Sequence, residues 1–134
     1  MQNKIAIVCG SFHKKETEKM LEEARRISIE NGLKIIDEIW VPGSLEKPLA
    51  IKRILKENKA DGIVVLGIIE RGQTKHGFVM GQAVISAIIQ LQLEFMKPIG
   101  VGILGPEILP DQIPSRLLPY ARGAVLAVKE MLTG

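Results

Sequence analysis

The sequence predicts an α/β fold, a parallel sheet covered by helices on both faces, and three observations carry that expectation. Four short β-branched apolar runs alternate with four longer segments of helical periodicity. The first and third runs are apolar at successive positions, as strands buried on both faces of a parallel sheet are. Turn-forming glycine, proline and aspartate residues punctuate the changes of period. The 134 residues are 46% hydrophobic and 25% charged, which suits one globular core, so residues 1–134 are expected to form a single domain.

The first strand is read at 4–9, ending at Gly10, whose lack of a side chain suits a tight turn. A helix follows over 16–31. Met20, Ala24 and Ile27 fall on one face of it, charges cover the other, and Gly32 supplies a left-handed terminator. The second strand is read at 33–41 and closes on Pro42-Gly43. Ser44 is expected to cap a helix reaching Asn58, with Pro48 tolerated in its first turn. The third strand is read at 63–69, a polar loop at 71–75 and a long helix at 76–96. That helix is apolar around most of its circumference, more than a small sheet can cover, which points to a subunit interface. Lys97-Pro98 breaks it. A fourth strand at 99–104, a turn-rich loop at 105–114 and a helix at 115–132, with Pro119 near its beginning, complete the chain. Four such units imply right-handed crossovers and a flavodoxin-like, three-layer α/β/α fold on a four-stranded parallel sheet. Ligands bind such sheets beyond the carboxyl ends of the strands, so the loops after the strands are where chemistry is expected.

Composition narrows the classes of function. The net charge of +3 is dispersed along the chain, which is not the basic stripe of a nucleic-acid binder and fits a small anionic ligand better. Cys9 is the single cysteine, so there is no internal disulfide framework and no thiolate cluster, and the expected home is the reducing cytoplasm. Two histidines and one cysteine, far apart, do not suggest a metal centre. The first residues lack the apolar region and cleavage site of a signal peptide. The most apolar stretch, 78–93, is interrupted by Gly81, Gln82, Ser86, Gln90 and Gln92, so no membrane association is expected.

The loops carry the candidate chemistry. Phe12 either stacks on a planar ligand or staples the next helix to the core. The loop around it has neither the spaced glycines of a dinucleotide site nor the hydroxyl-rich phosphate loop of a flavodoxin. In the turn 41–48, Glu46 is favoured by the helix dipole in any case, and it could also accept hydrogen bonds from a polyol. The segment Glu70-Arg71-Gly72-Gln73-Thr74-Lys75-His76 combines a glycine, a hydroxyl and positive charge ahead of a helix N-terminus, a credible phosphate cradle. His76 is placed where the dipole disfavours its protonated form, a useful setting for proton transfer near neutrality, although histidines also serve there as caps. Arg116 and Arg122 are either solvated surface or partners for a phosphate.

Taken together, these loops resemble the lumazine synthase family over nearly the whole chain. The resemblance rests on the aromatic after the first strand, on Val41-Pro42-Gly43-Ser44-Leu45-Glu46 with Pro48 beyond it, and above all on Leu66-Gly67 followed by Arg71-Gly72-Gln73-Thr74-Lys75-His76. It implies condensation of 5-amino-6-(D-ribitylamino)uracil with 3,4-dihydroxy-2-butanone 4-phosphate to 6,7-dimethyl-8-ribityllumazine, losing phosphate and water, without a cofactor. It further implies that Phe12 stacks on the pyrimidine, that Ser44, Leu45 and Glu46 hold the ribityl chain, and that Ile69 lines the ring pocket. Gly72, Gln73 and Thr74 would bind phosphate, and His76 would shuttle protons. Val101, Arg116 and Arg122 would come from a neighbouring subunit of a pentamer or a multiple of it.

The chain departs from the usual family pattern in having His13 for asparagine, Leu45 for a frequent phenylalanine, Val101 for an aromatic and Arg122 for a common lysine, while Lys47 adds a charge beside the ribityl turn. Two other readings share the fold. An archaeal-type riboflavin synthase has the Val-Pro-Gly turn but not the Thr74-x-His76 arrangement. A flavin- or pteridine-binding or shell-forming homologue would bind without turnover.

Overall fold

The computed structural model describes residues 2–133. Strands β1 (Lys4–Gly10), β2 (Lys34–Val41), β3 (Gly62–Glu70) and β4 (Ile99–Ile108) alternate with helices α1 (Lys14–Glu30), α2 (Lys47–Glu57), α3 (His76–Phe95) and α4 (Leu117–Thr133). All strand pairs are parallel, in the order β2-β1-β3-β4, with Cys9 beside Leu66 and Leu66 beside Gly102. The expected α/β class and four-stranded parallel sheet are what the chain adopts.

The alternation of side chains along a strand divides the core in two. Ile5, Ile7 and Cys9 of β1 and Val64 and Leu66 of β3 face α1 and α4, meeting Met20, Ala24, Ile27, Ala121, Val125 and Val128. Ala6 and Val8, with Ile63 and Val65, face α2 and α3, meeting Ile51, Ile54, Val84 and Ile88. Each face is sealed by the apolar stripe of an amphipathic helix, which is why both sides of the inner strands β1 and β3 are apolar, whereas the edge strand β2 keeps Asp37 exposed and Glu38 half-buried.

The elements differ from expectation at their ends. Gly10 stays within β1, and the left-handed turn into α1 is made by His13, at φ 59°. Ser44 does not cap a helix: Ser44–Glu46 is a 3-10 turn, and α2 begins at Lys47 with Pro48 in its first turn. Strand β4 continues to Ile108, opposite Glu70, where a loop was expected. Two short 3-10 turns then lead to α4 at Leu117, with Pro119 inside its first turn. Gly32, at φ 72°, follows α1 as expected.

Helix α3 packs Val84, Ile88 and Leu91 onto the sheet and leaves Val79, Ile89 and Leu93 exposed. By length and composition it is long and apolar enough to cross a bilayer. Here it is the outer layer of an α/β sandwich, and its uncovered apolar surface is of the kind that marks an interaction site.

Candidate functional site

The chain leaves β1 outward to β2 and then returns to β3 on the other side of β1, so the strand order reverses between β1 and β3. Such reversals open a crevice at the carboxyl ends of the strands. A cavity of about 440 Å³ lies there, bounded by the loop after β1, the turn after β2, the end of β3 and the start of α3. Eight expected residues border it: Phe12, Ser44, Leu45, Glu46, Ile69, Gly72, Thr74 and His76. Gln73 lies in an adjoining hollow of about 430 Å³ with Arg71, Lys75, Phe78 and Glu107, and Gly72 and Thr74 border both.

Phe12 is 59% exposed, so it does not staple α1 to the core. Its ring meets the His13 imidazole edge-on, centroids 4.6 Å apart. His13 in turn donates from Nε2 to Oε2 of Glu70, 2.8 Å away, tying the loop after β1 to the end of β3. Glu70 itself borders the cavity. At the opposite wall Thr74 Oγ1 accepts the backbone N–H of His76 at 3.3 Å, so the hydroxyl takes one of the N–H groups that a helix start leaves unpaired. The imidazole of His76 is exposed at the cavity.

Lys47, the charge that the sequence adds beside the turn after β2, is fully buried. One residue beyond the Cys9–Leu66 pair on each strand are Gly10 and Gly67, which alternation with Val8 and Val65 puts on the sheet face that α2 covers. A Cβ at Gly10 would stand 3.2 Å from Lys47 Cε, and one at Gly67 would overlap Nζ. The lysine stem therefore fills the space of two missing side chains. Its Nζ donates to Oγ of Ser44, 3.2 Å away. Burial pulls the Lys47 ammonium down to about 8, with the Cys9 sulfur acting in the opposite direction. Burial pushes the Cys9 thiol up to about 12, reinforced by Glu38 and opposed by Lys47 and Arg25.

Three expected residues lie away from this cavity on their own chain. Val101, half-buried on β4, packs against the core beneath α2 and α3. Arg116 is exposed and donates to the Gln112 carbonyl at 2.9 Å. Arg122 donates from Nη2 to Oε2 of Glu23 on α1 at 2.8 Å, a carboxylate that Arg26 also grips. Among the described residues no group of three His, Cys, Asp or Glu side chains is placed to hold a metal ion.

The geometry can be set beside known proteins. The 6,7-dimethyl-8-ribityllumazine synthase family profile matches residues 2–133. The chain belongs to this family. Among curated members, the lumazine synthase of Staphylothermus marinus is 36% identical over 129 residues, 96% of this chain and 86% of that protein. That of Methanoculleus marisnigri is 34% identical over 132 residues, 98% of this chain and 97% of its own. That of Picrophilus torridus is 38% identical over 103 residues, 77% and 76% of the two. Of the residues that the lumazine synthase resemblance singled out, those in the loops after β1, β2 and β3 gather around two adjoining hollows. Val101 of β4, Arg116 of the 3-10 turn before α4 and Arg122 of α4 border neither hollow on the same chain. Met80 borders the cavity without having been singled out by the loop motifs, and Glu70, named there only as part of the segment before α3, borders it too.

Proposed function

We propose that the chain condenses 5-amino-6-(D-ribitylamino)uracil with 3,4-dihydroxy-2-butanone 4-phosphate, forming 6,7-dimethyl-8-ribityllumazine and releasing phosphate and water, as a transferase of riboflavin biosynthesis. The observation that carries this reading is the meeting, in one cavity, of an exposed aromatic face, a polar turn and a helix start with a hydroxyl and an imidazole.

Phe12 stacks on the pyrimidine, and Ile69 lines the ring pocket. Ser44, Leu45 and Glu46 hold the ribityl chain, a polyol whose hydroxyls pair with the carboxylate and the serine. Gly72, Gln73 and Thr74 take the phosphate at the start of α3, where the helix dipole and free N–H groups favour an anion. His76, beside them, transfers protons as the amine attacks the ketone, water leaves, and phosphate is eliminated. These steps need held partners, anion stabilisation and proton transfer, and the scheme draws on no cofactor.

The exposed apolar side of α3 supports a homo-oligomer, which in this reading is a pentamer or a multiple of it, and the single cysteine, Cys9, suits the cytoplasm. In that assembly a neighbouring copy brings Val101 to the ring, and Arg116 and Arg122 to the phosphate. Arg122 would do so while sharing its charge with Glu23. Neither nucleic acid nor membrane is a partner in this reading.

The test is lumazine formation, followed by absorbance, with phosphate release measured on the same samples of wild type and His76→Ala. Matched product and phosphate, with turnover falling about 100-fold in the variant, is the expected result. A folded, oligomeric wild type that makes neither product nor phosphate rejects the reading.

A further inference from the structure

Lys47 has a position that space filling alone does not explain. A methionine would occupy the channel over Gly10 and Gly67 without taking an amine out of water, a transfer that costs several kcal/mol when hydrogen bonds are not replaced. A lysine ammonium has three N–H donors, and the described residues supply one acceptor, Oγ of Ser44. Ser44 is also the buried member of the turn, 8% exposed, while it still borders the cavity.

We propose that Lys47 is a positioning residue of the ribityl subsite that acts through Ser44, donating to Oγ so that the serine hydroxyl presents its own hydrogen to a ligand oxygen. This rests on the reading of the cavity given above. A serine hydroxyl has one hydrogen and two lone pairs. Left alone it rotates freely and serves as donor or acceptor by turns. With a lone pair engaged by an N–H from beneath, its hydrogen is left for an acceptor on the cavity side. A hydrogen bond to a charged donor also polarises the O–H and strengthens the bond it makes onward. The ribityl chain offers hydroxyl oxygens as acceptors, whereas a phosphate held at the start of α3 does not depend on this pair. Burial leaves the amine largely protonated at neutral pH, with a value of about 8.

The prediction is a split between substrates and between constants. Lys47→Met keeps the stem and removes the donors; the KM for the ribitylaminouracil rises about fivefold, while kcat and the KM for the butanone phosphate stay within about twofold. Ser44→Ala gives the same rise. The double variant is no worse than either single one, because both remove the same bond. Gly67→Ala reaches the same end with both residues in place, since its Cβ takes the position of the ammonium; it raises the same KM and covers the case in which Lys47→Met does not fold. A wild type without turnover would reject the function proposed for the cavity. An active wild type whose uracil KM is unmoved by Lys47→Met or Gly67→Ala, or a double variant with multiplied effects, overturns the role of Lys47.

Discussion

His13 Nε2 lies 2.8 Å from Glu70 Oε2, joining the loop that carries Phe12 to the end of the strand that carries Ile69. Both side chains are about one-quarter exposed, so the bond is formed where water competes only in part. Because the imidazole also abuts the Phe12 ring, the pair fixes the plane on which a flat ligand would stack. His13→Ala removes both contacts. A rise of about fivefold in KM for the aminouracil substrate is expected, with Glu70→Gln giving a smaller one because it retains an acceptor. Steady-state kinetics on the two variants checks the order.

Thr74 joins local structure to anion binding. Its hydroxyl accepts the His76 N–H, so Thr74→Ala leaves the start of α3 one partner short and costs about 1 kcal/mol of stability. Thr74→Ser keeps the bond and should melt close to wild type. In the alanine variant the KM for the butanone phosphate should rise more than that for the uracil. Thermal melts together with the two KM values test both halves of the statement.

Lys47 and Cys9 set opposing slopes in the alkaline stability profile. The folded value of Lys47, about 8, is below its ordinary 10.5, so between those pH values the unfolded chain binds the extra proton and stability rises with pH. The folded value of Cys9, about 12, is above its ordinary 9.0, so from 9.0 upward the folded chain binds the extra proton and stability falls. Each slope is about 1.4 kcal/mol per pH unit. Stability should therefore rise from pH 8 to 9, level out to 10.5 and fall beyond. Cys9→Ala should continue to rise to about pH 10.5, and Lys47→Met should show no rise at all. Urea titrations of the three proteins across this range distinguish the profiles.

At the acid end the relevant group is Glu23. Hydrogen bonds from Arg26 first, and from Arg122 second, hold its carboxyl below the usual range. A depressed folded value contributes stability that is present above the ordinary 4.5 and is lost as the pH falls through the folded value. Arg122→Met removes one holder and the tie between α1 and α4, so its acid unfolding midpoint should move to higher pH. An unchanged midpoint by circular dichroism would mean that Arg26 alone sets the value.

Much of this was legible in the residues because the two signals involved are local. Strands buried on both faces announce themselves as unbroken apolar runs, and Met20, Ala24 and Ile27 mark the buried side of α1 without reference to anything distant. The cavity was legible to the extent that strand ends and helix starts were, which is why Phe12, Glu46, Thr74 and His76 were found. Other features depend on chain segments remote in sequence. The end of β4 looked like a turn because Gly105-Pro106 is turn chemistry, yet pairing with Glu70 carries the strand on to Ile108. Ser44 looked like a helix cap because serine so often is one, but its hydroxyl is bound by Lys47. A lysine in a turn reads as solvated. What buries Lys47 is the absence of side chains at Gly10 and Gly67, and neither glycine is near it along the chain.

That three-residue arrangement makes the sequence contingent on its own history. With lysine at 47, a methyl group at position 67 collides with the ammonium, and one at position 10 presses on the stem. With a short side chain at 47, the same methyl groups would fill a void. The same substitution thus changes sign with its background, harmful in one and helpful in the other. A loop transplanted from a relative without lysine at 47 would import a hole, and a strand with a side chain at 67 would import a clash. Positions 10, 47 and 67 must be exchanged together or left alone.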